Sequence, residues 1–166
     1  MESIKIILEK LSSYNVFNYL LPGVLFIFLT KVISGYDLIQ ENLLINAFLY
    51  YFTGMIVSRV GSIIIEPILK GIKFLNFKDY NQFVKANKKD GNLELLSEVN
   101  NTYRTIVSML VLICFEYLYL LIKHKFNISH QTTKIIAISF TTILFLFSYR
   151  KQTNYISKRI DANLKD

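Results

Sequence analysis

Apolar residues along the chain gather into four long runs, at residues 16–33, 43–65, 105–122 and 132–149, separated by polar stretches. Each run is close to the roughly 20 residues that a helix needs to cross about 30 Å of hydrocarbon. A soluble four-helix bundle would carry polar residues on one face of every helix. Here "VLFIFL", "IVSMLVLICF" and "ISFTTILFLFSY" are apolar or merely hydroxylated on all sides. The pattern predicts an all-α integral membrane protein with four transmembrane helices, short outer loops and a cytoplasmic helical hairpin between helices two and three.

The stretches between the runs refine this picture. Residues 1–15 place Ile4, Ile7, Leu8 and Leu11 at helical spacing, as an interfacial helix lying on the membrane or a frayed helical terminus would. Pro22 and Gly23 fall a third of the way into the first run, where proline removes a backbone donor and a kink or helix restart is expected. The connections at 34–42 and 123–131 are short, so neighbouring spans pair antiparallel and no outer domain has room to form. Residues 66–104 form the one sizeable polar region. "EPILKGIKFLNF" continues amphipathically through Ile68, Leu69, Ile72 and Leu75, and a turn is expected at Asp90 and Gly91. A second helical stripe of Leu93, Leu96, Val99 and Tyr103 then leads into the third span.

Composition agrees, at 52% hydrophobic and only 19% charged residues. Lys and Arg near span ends stay on the cytoplasmic side, and their distribution here is lopsided. Of 19, fourteen lie before the first span, between the second and third, or after the fourth; Lys31, Lys123, Lys125 and Lys134 lie on the other side, and Arg59 lies within a span. Both termini are therefore expected in the cytoplasm, with residues 150–166 as a basic tail. The net charge of +7 is mostly this topology signal. The first run lacks an A-x-A-like exit, so it reads as an uncleaved signal anchor. Cys114 is the single cysteine and lies inside the third span, which excludes a disulfide within the chain. Richness in Lys, Ile, Asn and Phe fits an AT-rich bacterial gene, which points to the bacterial inner membrane.

No nucleophile with its base, no metal-ligand cluster and no glycine-rich phosphate loop is present in the sequence, so an enzyme is not expected, nor any metal or cofactor. His124 and His130 flank an outer connection; solvated loop histidines explain them, and a pH-sensing or metal role is the alternative. In the second span, Gly54, Ser58, Gly61 and Ser62 make a small-residue stripe that lets helix backbones approach, within one chain or between chains. On a uniform α-helix, Arg59 and Glu66 share a face beside that stripe, all six residues falling within an arc of about 160°. Arg59 lies about 9 Å from the inner end, within snorkelling reach. Glu116 lies near mid-membrane, where an unpaired charge is costly. If helices two and three pack, Arg59 and Glu116 differ in height by about 7 Å, so the expectation is a pair, or a protonated Glu116 on an aqueous path. Such a pair serves either to hold the bundle or to gate an ion path.

Basic and aromatic residues interleave twice on the inner side. Lys73, Lys78, Tyr80, Lys85, Lys88 and Lys89 form one set, and Arg150, Lys151, Tyr155, Lys158 and Arg159 the other. Charge beside ring faces suits a nucleotide or oligonucleotide signal; anionic membrane lipid and interfacial tyrosines produce the same pattern.

Four short spans, intramembrane charges and a small basic cytoplasmic hairpin, with "SRVGSIIIEP" and "SYRKQTNYISKR" as the most distinctive words, resemble the membrane effectors of bacterial antiphage defence, the Hailong-type effector in particular. That resemblance implies a homo-oligomeric ion channel, controlled by a cytoplasmic nucleotide-derived signal, that depolarises the cell during infection. Arg59, Glu66 and Glu116 would be its pore charges, and the basic aromatic residues its sensor. Two other readings remain: a non-conducting anchor or adaptor for a cytoplasmic protein partner, and a holin-like lysis protein.

Overall fold

The computed structural model describes residues 13–164. Ile4, Ile7, Leu8 and Leu11 of the expected interfacial helix lie outside the described residues. The described residues form helices and connections, with no β-strand among them. We label the helices α1 (Val16–Ser34), α2 (Leu43–Gly71), α3 (Tyr80–Asn87), α4 (Asn92–Lys125) and α5 (His130–Leu164); a short helical turn, Ser13–Asn15, leads into α1. All but α3 are long and apolar enough to cross a membrane.

Three of the long helices outrun their apolar stretches. α2 continues past residue 65 to Gly71, α4 begins thirteen residues before Thr105, and α5 stays helical past Tyr149 to Leu164. At 1.5 Å per residue α5 is about 52 Å long, so its polar second half projects well beyond a bilayer's hydrocarbon. The basic stretch after Tyr149 is thus a helical continuation of the span. The amphipathic stretch after Glu66 is helical only to Gly71, which leaves Ile72 and Leu75 in the irregular segment before α3. Asp90 and Gly91 do lie in the turn before α4, where Asp90 Oδ1 accepts from the Asn92 amide at 3.0 Å.

Neither proline breaks its helix. Pro22 follows a π-helical turn, Val16–Leu20, and Pro67 follows another, Gly61–Ile65. The residue before each proline closes the wide turn, Leu21 N–H bonding to the Val16 carbonyl and Glu66 N–H to the Gly61 carbonyl. Proline cannot donate to the carbonyl four residues back, and the i→i+5 pattern absorbs the mismatch locally. The expected restart at Pro22 is therefore a widened turn inside a continuous helix.

Gly23 has a packing role. A Cβ on Gly23 would sit 1.8 Å from the Tyr50 carbonyl oxygen, and one on Gly54 would sit 1.7 Å from the Tyr19 carbonyl oxygen. The backbones of α1 and α2 therefore touch at this crossing, as small residues allow where lipid supplies no hydrophobic drive between helices. α4 packs against both α1 and α2, while α5 packs against α2 and α3 and barely meets α4. Phe52 of α2 and Phe145 of α5 stack with ring centroids 6.1 Å apart. α2 is the shared partner of the other three long helices.

Burial is inverted relative to a water-soluble bundle. Asn18, Thr105 and Ser108 are fully buried, and Thr30, Asn46, Ser58, Ser62, Glu66 and Ser148 are nearly so. Ile27, Val57, Val60 and Met109 complete the interior of α1, α2 and α4. Phe28, Phe48, Phe115 and Leu146, by contrast, lie on the outside. Such a surface suits a hydrocarbon solvent, in which apolar side chains cost nothing to expose and polar ones must find partners inside.

Replacing Gly54 by leucine drives a side chain into the α1 backbone, with an expected loss of about 3 kcal/mol. Gly71→Ala serves as the control, because a Cβ at that position would meet nothing within 4 Å. Thermal unfolding in detergent micelles checks the contrast: a Gly54→Leu melting temperature equal to that of Gly71→Ala would refute the close crossing.

Candidate functional site

The widened turn before Pro67 decides which way Glu66 points. A π-turn holds more residues than the 3.6 of an α-turn, so it rotates everything after it relative to everything before it. Glu66 is turned into the bundle and is 6% exposed, while Arg59, before the turn, stays half-buried. The two differ in burial, and Ser62 between them holds Lys151 of α5.

Glu66 is the centre of a cationic cluster. Its Oε2 accepts from Arg104 Nη1 of α4 at 2.8 Å, and its Oε1 accepts from Lys70 Nζ, one turn on, at 2.7 Å. Lys151 Nζ of α5 lies 3.9 Å from Oε1 and donates to the Ser62 carbonyl at 2.7 Å and to Ser62 Oγ at 2.8 Å. One buried carboxylate thereby joins α2, α4 and α5. Arg59 has no carboxylate within salt-bridge distance among the described residues, and its charge repels Lys151. Arg104 Nε is buried without a hydrogen-bond partner among the described residues.

A ladder of uncharged polar groups lies beside this cluster between α1, α2 and α4. Ser108 Oγ donates to the Val57 carbonyl at 2.7 Å, and Thr105 Oγ1 lies 2.8 Å from Asn18 Oδ1 and 3.2 Å from Ser58 Oγ. Asn18 Nδ2 and Asn101 Nδ2 both donate to the Tyr14 hydroxyl, at 3.2 and 3.3 Å. Gly61 permits this approach, since a Cβ there would meet Arg104 Cγ at 3.1 Å and Ser108 Cβ at 3.2 Å. The small-residue stripe is thus divided between partners: Gly54 faces α1, Ser58 and Gly61 face α4, and Ser62 holds Lys151 of α5.

Glu116 does not pair with Arg59 within the chain. Its Oε2 accepts from Thr30 Oγ1 of α1 at 2.8 Å. Ser108, at the level of Val57, lies eight residues before Glu116, which puts the carboxylate about 12 Å further along α4. The two charges lie on different levels because α4 packs on α2 in a register that sequence spacing does not reveal. Glu116 is half-buried, with Phe115 and Tyr117 exposed beside it.

At the other end, His130 Nδ1 lies 3.3 Å from the Tyr36 hydroxyl, which Lys123 Nζ also contacts; His124 is exposed. Lys31 bonds Asp37 at 2.7 Å and holds that carboxyl below the usual carboxylate range. No grouping of three potential metal ligands occurs among the described residues.

The two basic aromatic sets meet at the Glu66 end, where the Tyr80 and Tyr155 ring centroids are 5.6 Å apart. Lys78, Lys85, Lys88 and Lys89 lie exposed in and around α3, and Arg150, Lys158 and Arg159 are exposed on α5. Lys73 is exposed in the turn after α2, at a φ of 61°. Lys151 alone turns inward, its ammonium 5.8 Å from the Tyr155 ring centre. Sequence reasoning missed Asn18, Thr30, Arg104, Thr105 and Ser108 as members of the polar interior, and Lys70 as a partner of Glu66 at its rim. Their signal was a polar side chain within or beside an apolar run, which becomes informative once the facing helix is known.

Four helices long and apolar enough to cross a membrane, around a polar interior, support the class of multi-pass helical membrane proteins. No family model, curated protein or solved structure matches the chain.

Neutralising Glu66 leaves Arg104 and Lys151 facing each other without a counter-charge. Glu66→Gln is therefore expected to cost about 3 to 5 kcal/mol, as removal of one member of a buried pair does. Lys70→Gln, at a side chain 41% exposed, should cost less than about 1 kcal/mol. Chemical denaturation in mixed micelles measures both, and equal losses would contradict the central position of the carboxylate.

Proposed function

We propose that this chain is the subunit of a homo-oligomeric ion channel of the bacterial inner membrane, with both termini in the cytoplasm. The observation that carries this reading is Glu116, half-buried beside exposed Phe115 and Tyr117, with one hydroxyl donor from Thr30. A charged carboxylate at bilayer depth costs about 3 kcal/mol or more when it faces lipid, and a single threonine does not replace its hydration. Ile27, Val57 and Met109 fill the space between α1, α2 and α4, so a hydrated path has to lie between chains. Cyclic packing of several copies brings their Glu116 side chains to one axis as a ring of acidic groups, which favours cations.

The contact between Tyr80 and Tyr155 supports a control site at the basic end. Exposed Lys78, Lys89, Arg150, Lys158 and Arg159 lie on the same two segments as these rings, chemistry suited to a nucleotide-type signal. A channel answering such a signal fits an effector that depolarises an infected cell, the role expected from the resemblance to antiphage membrane proteins.

Ion flux from liposomes loaded with the purified protein tests conduction. Glu116→Gln is expected to lower the cation-to-anion permeability ratio by roughly fivefold, the effect of about 1 kcal/mol from one unit charge. Absence of flux and of depolarisation under all conditions, phage challenge included, would overturn the channel reading; co-purification of a cytoplasmic protein would then favour the adaptor. Release of large solutes along with ions would favour the holin-like alternative.

A further inference from the structure

The cluster around Glu66 has more positive charge than its own carboxylate can balance. Lys70, Arg104 and Lys151 gather at one acid, whose two oxygens are already taken by Arg104 and Lys70, and Arg59 lies one turn before Ser62, the residue that holds Lys151. No other carboxylate reaches any of the four within salt-bridge distance among the described residues. Among the described residues Lys151 finds only Ser62 oxygens at hydrogen-bond distance, and Arg59 finds no acid at all. Like charges held together at the end of an apolar span repel unless an anion sits among them.

We propose that Arg59 and Lys151, with Lys70 at the rim, hold the phosphate group of an anionic phospholipid where α2 and α5 meet. Apolar surface for its acyl chains lies deeper than Lys151 on α5, where Phe147, one turn before it, is more than half exposed. Basic groups between transmembrane helices near the membrane surface recognise anionic headgroups through this combination of charge and adjoining apolar surface. Guanidinium supplies paired donors to phosphate oxygens and the ammonium a point charge. A soluble phosphate compound would use the same donors and ignore the apolar flank, which is why the lipid is favoured. The site is separate from Glu116 and does not depend on conduction.

Native mass spectrometry of the intact chain, titrated with phosphatidylglycerol or with phosphatidylcholine of matched chains, tests the site. Retention of phosphatidylglycerol over phosphatidylcholine is expected, and Arg59→Gln should weaken phosphatidylglycerol retention about fivefold, the share of one basic group near a membrane surface. Lys125→Gln, at the opposite end, should leave it unchanged. Arg59→Gln removes no ion pair among the described residues, so its melting temperature in lipid-free detergent should match the parent, which separates lost lipid from lost fold. Equal retention of the two lipids, or an Arg59→Gln protein that keeps phosphatidylglycerol as the parent does, would overturn the proposal. Inorganic phosphate raising the melting temperature as far as phosphatidylglycerol does would assign the site to soluble phosphate and overturn the lipid assignment.

Discussion

Withdrawing a carboxylate from water at the end of an apolar helix is tolerable only if cations meet both of its oxygens, and Glu66 draws them from three helices. Lys70 comes from its own helix, Arg104 from α4 and Lys151 from α5. In lipid, where apolar faces gain nothing by meeting each other, such charge pairing and the hydrogen bonds of Ser58, Thr105, Ser108 and Asn18 set the register between helices. The glycines complement this by removing the side chains that would hold the backbones apart. Gly54 and Gly23 let α1 touch α2, and Gly61 lets Arg104 and Ser108 come close enough for their polar atoms to find partners.

The two proline-linked π-turns give the arrangement its direction. Each places one extra residue in a turn just before a proline, one in α1 and one in α2. In α2 that extra residue falls between Arg59 and Glu66 and separates what the two charges do: one is enclosed and neutralised, the other is left near Lys151 with no acid of its own among the described residues. Charge imbalance at the basic end is therefore a consequence of backbone geometry as much as of composition. Glu116, on a different level and bonded by Thr30, stands apart from that imbalance and poses a separate problem of solvation.

Much of the architecture was legible because its cause is local. A run of about 20 apolar residues reads as a membrane helix whatever its neighbours do, and the four runs appear as four long helices. Small residues at 54, 58, 61 and 62 signalled close packing for the same reason, since only their size matters. Helix ends were less legible. The stripe of Leu93, Leu96, Val99 and Tyr103 announced the helix that leads into the third span, but residues 150–164 are polar and exposed, so hydropathy alone marked that span and not the helix that carries it.

Pairing was not legible, because it depends on which helices meet and at what height. Arg59 and Glu116 are the most conspicuous charges in the apolar runs, and spacing alone suggested that they meet; the packing of α4 on α2 puts them on separate levels, and α1 brings Thr30 to the carboxylate instead. Lys151 looked like a member of a basic surface, yet it turns towards Glu66, as does Arg104. By itself the sequence determined the number of apolar helices and the small residues of their crossings, since hydropathy and side-chain size act over one helix. Only the tertiary structure decided which polar groups satisfy one another, because hydrogen bonds and ion pairs require atoms from different helices at a few ångströms, and a widened turn or a shift of register by one residue redirects them.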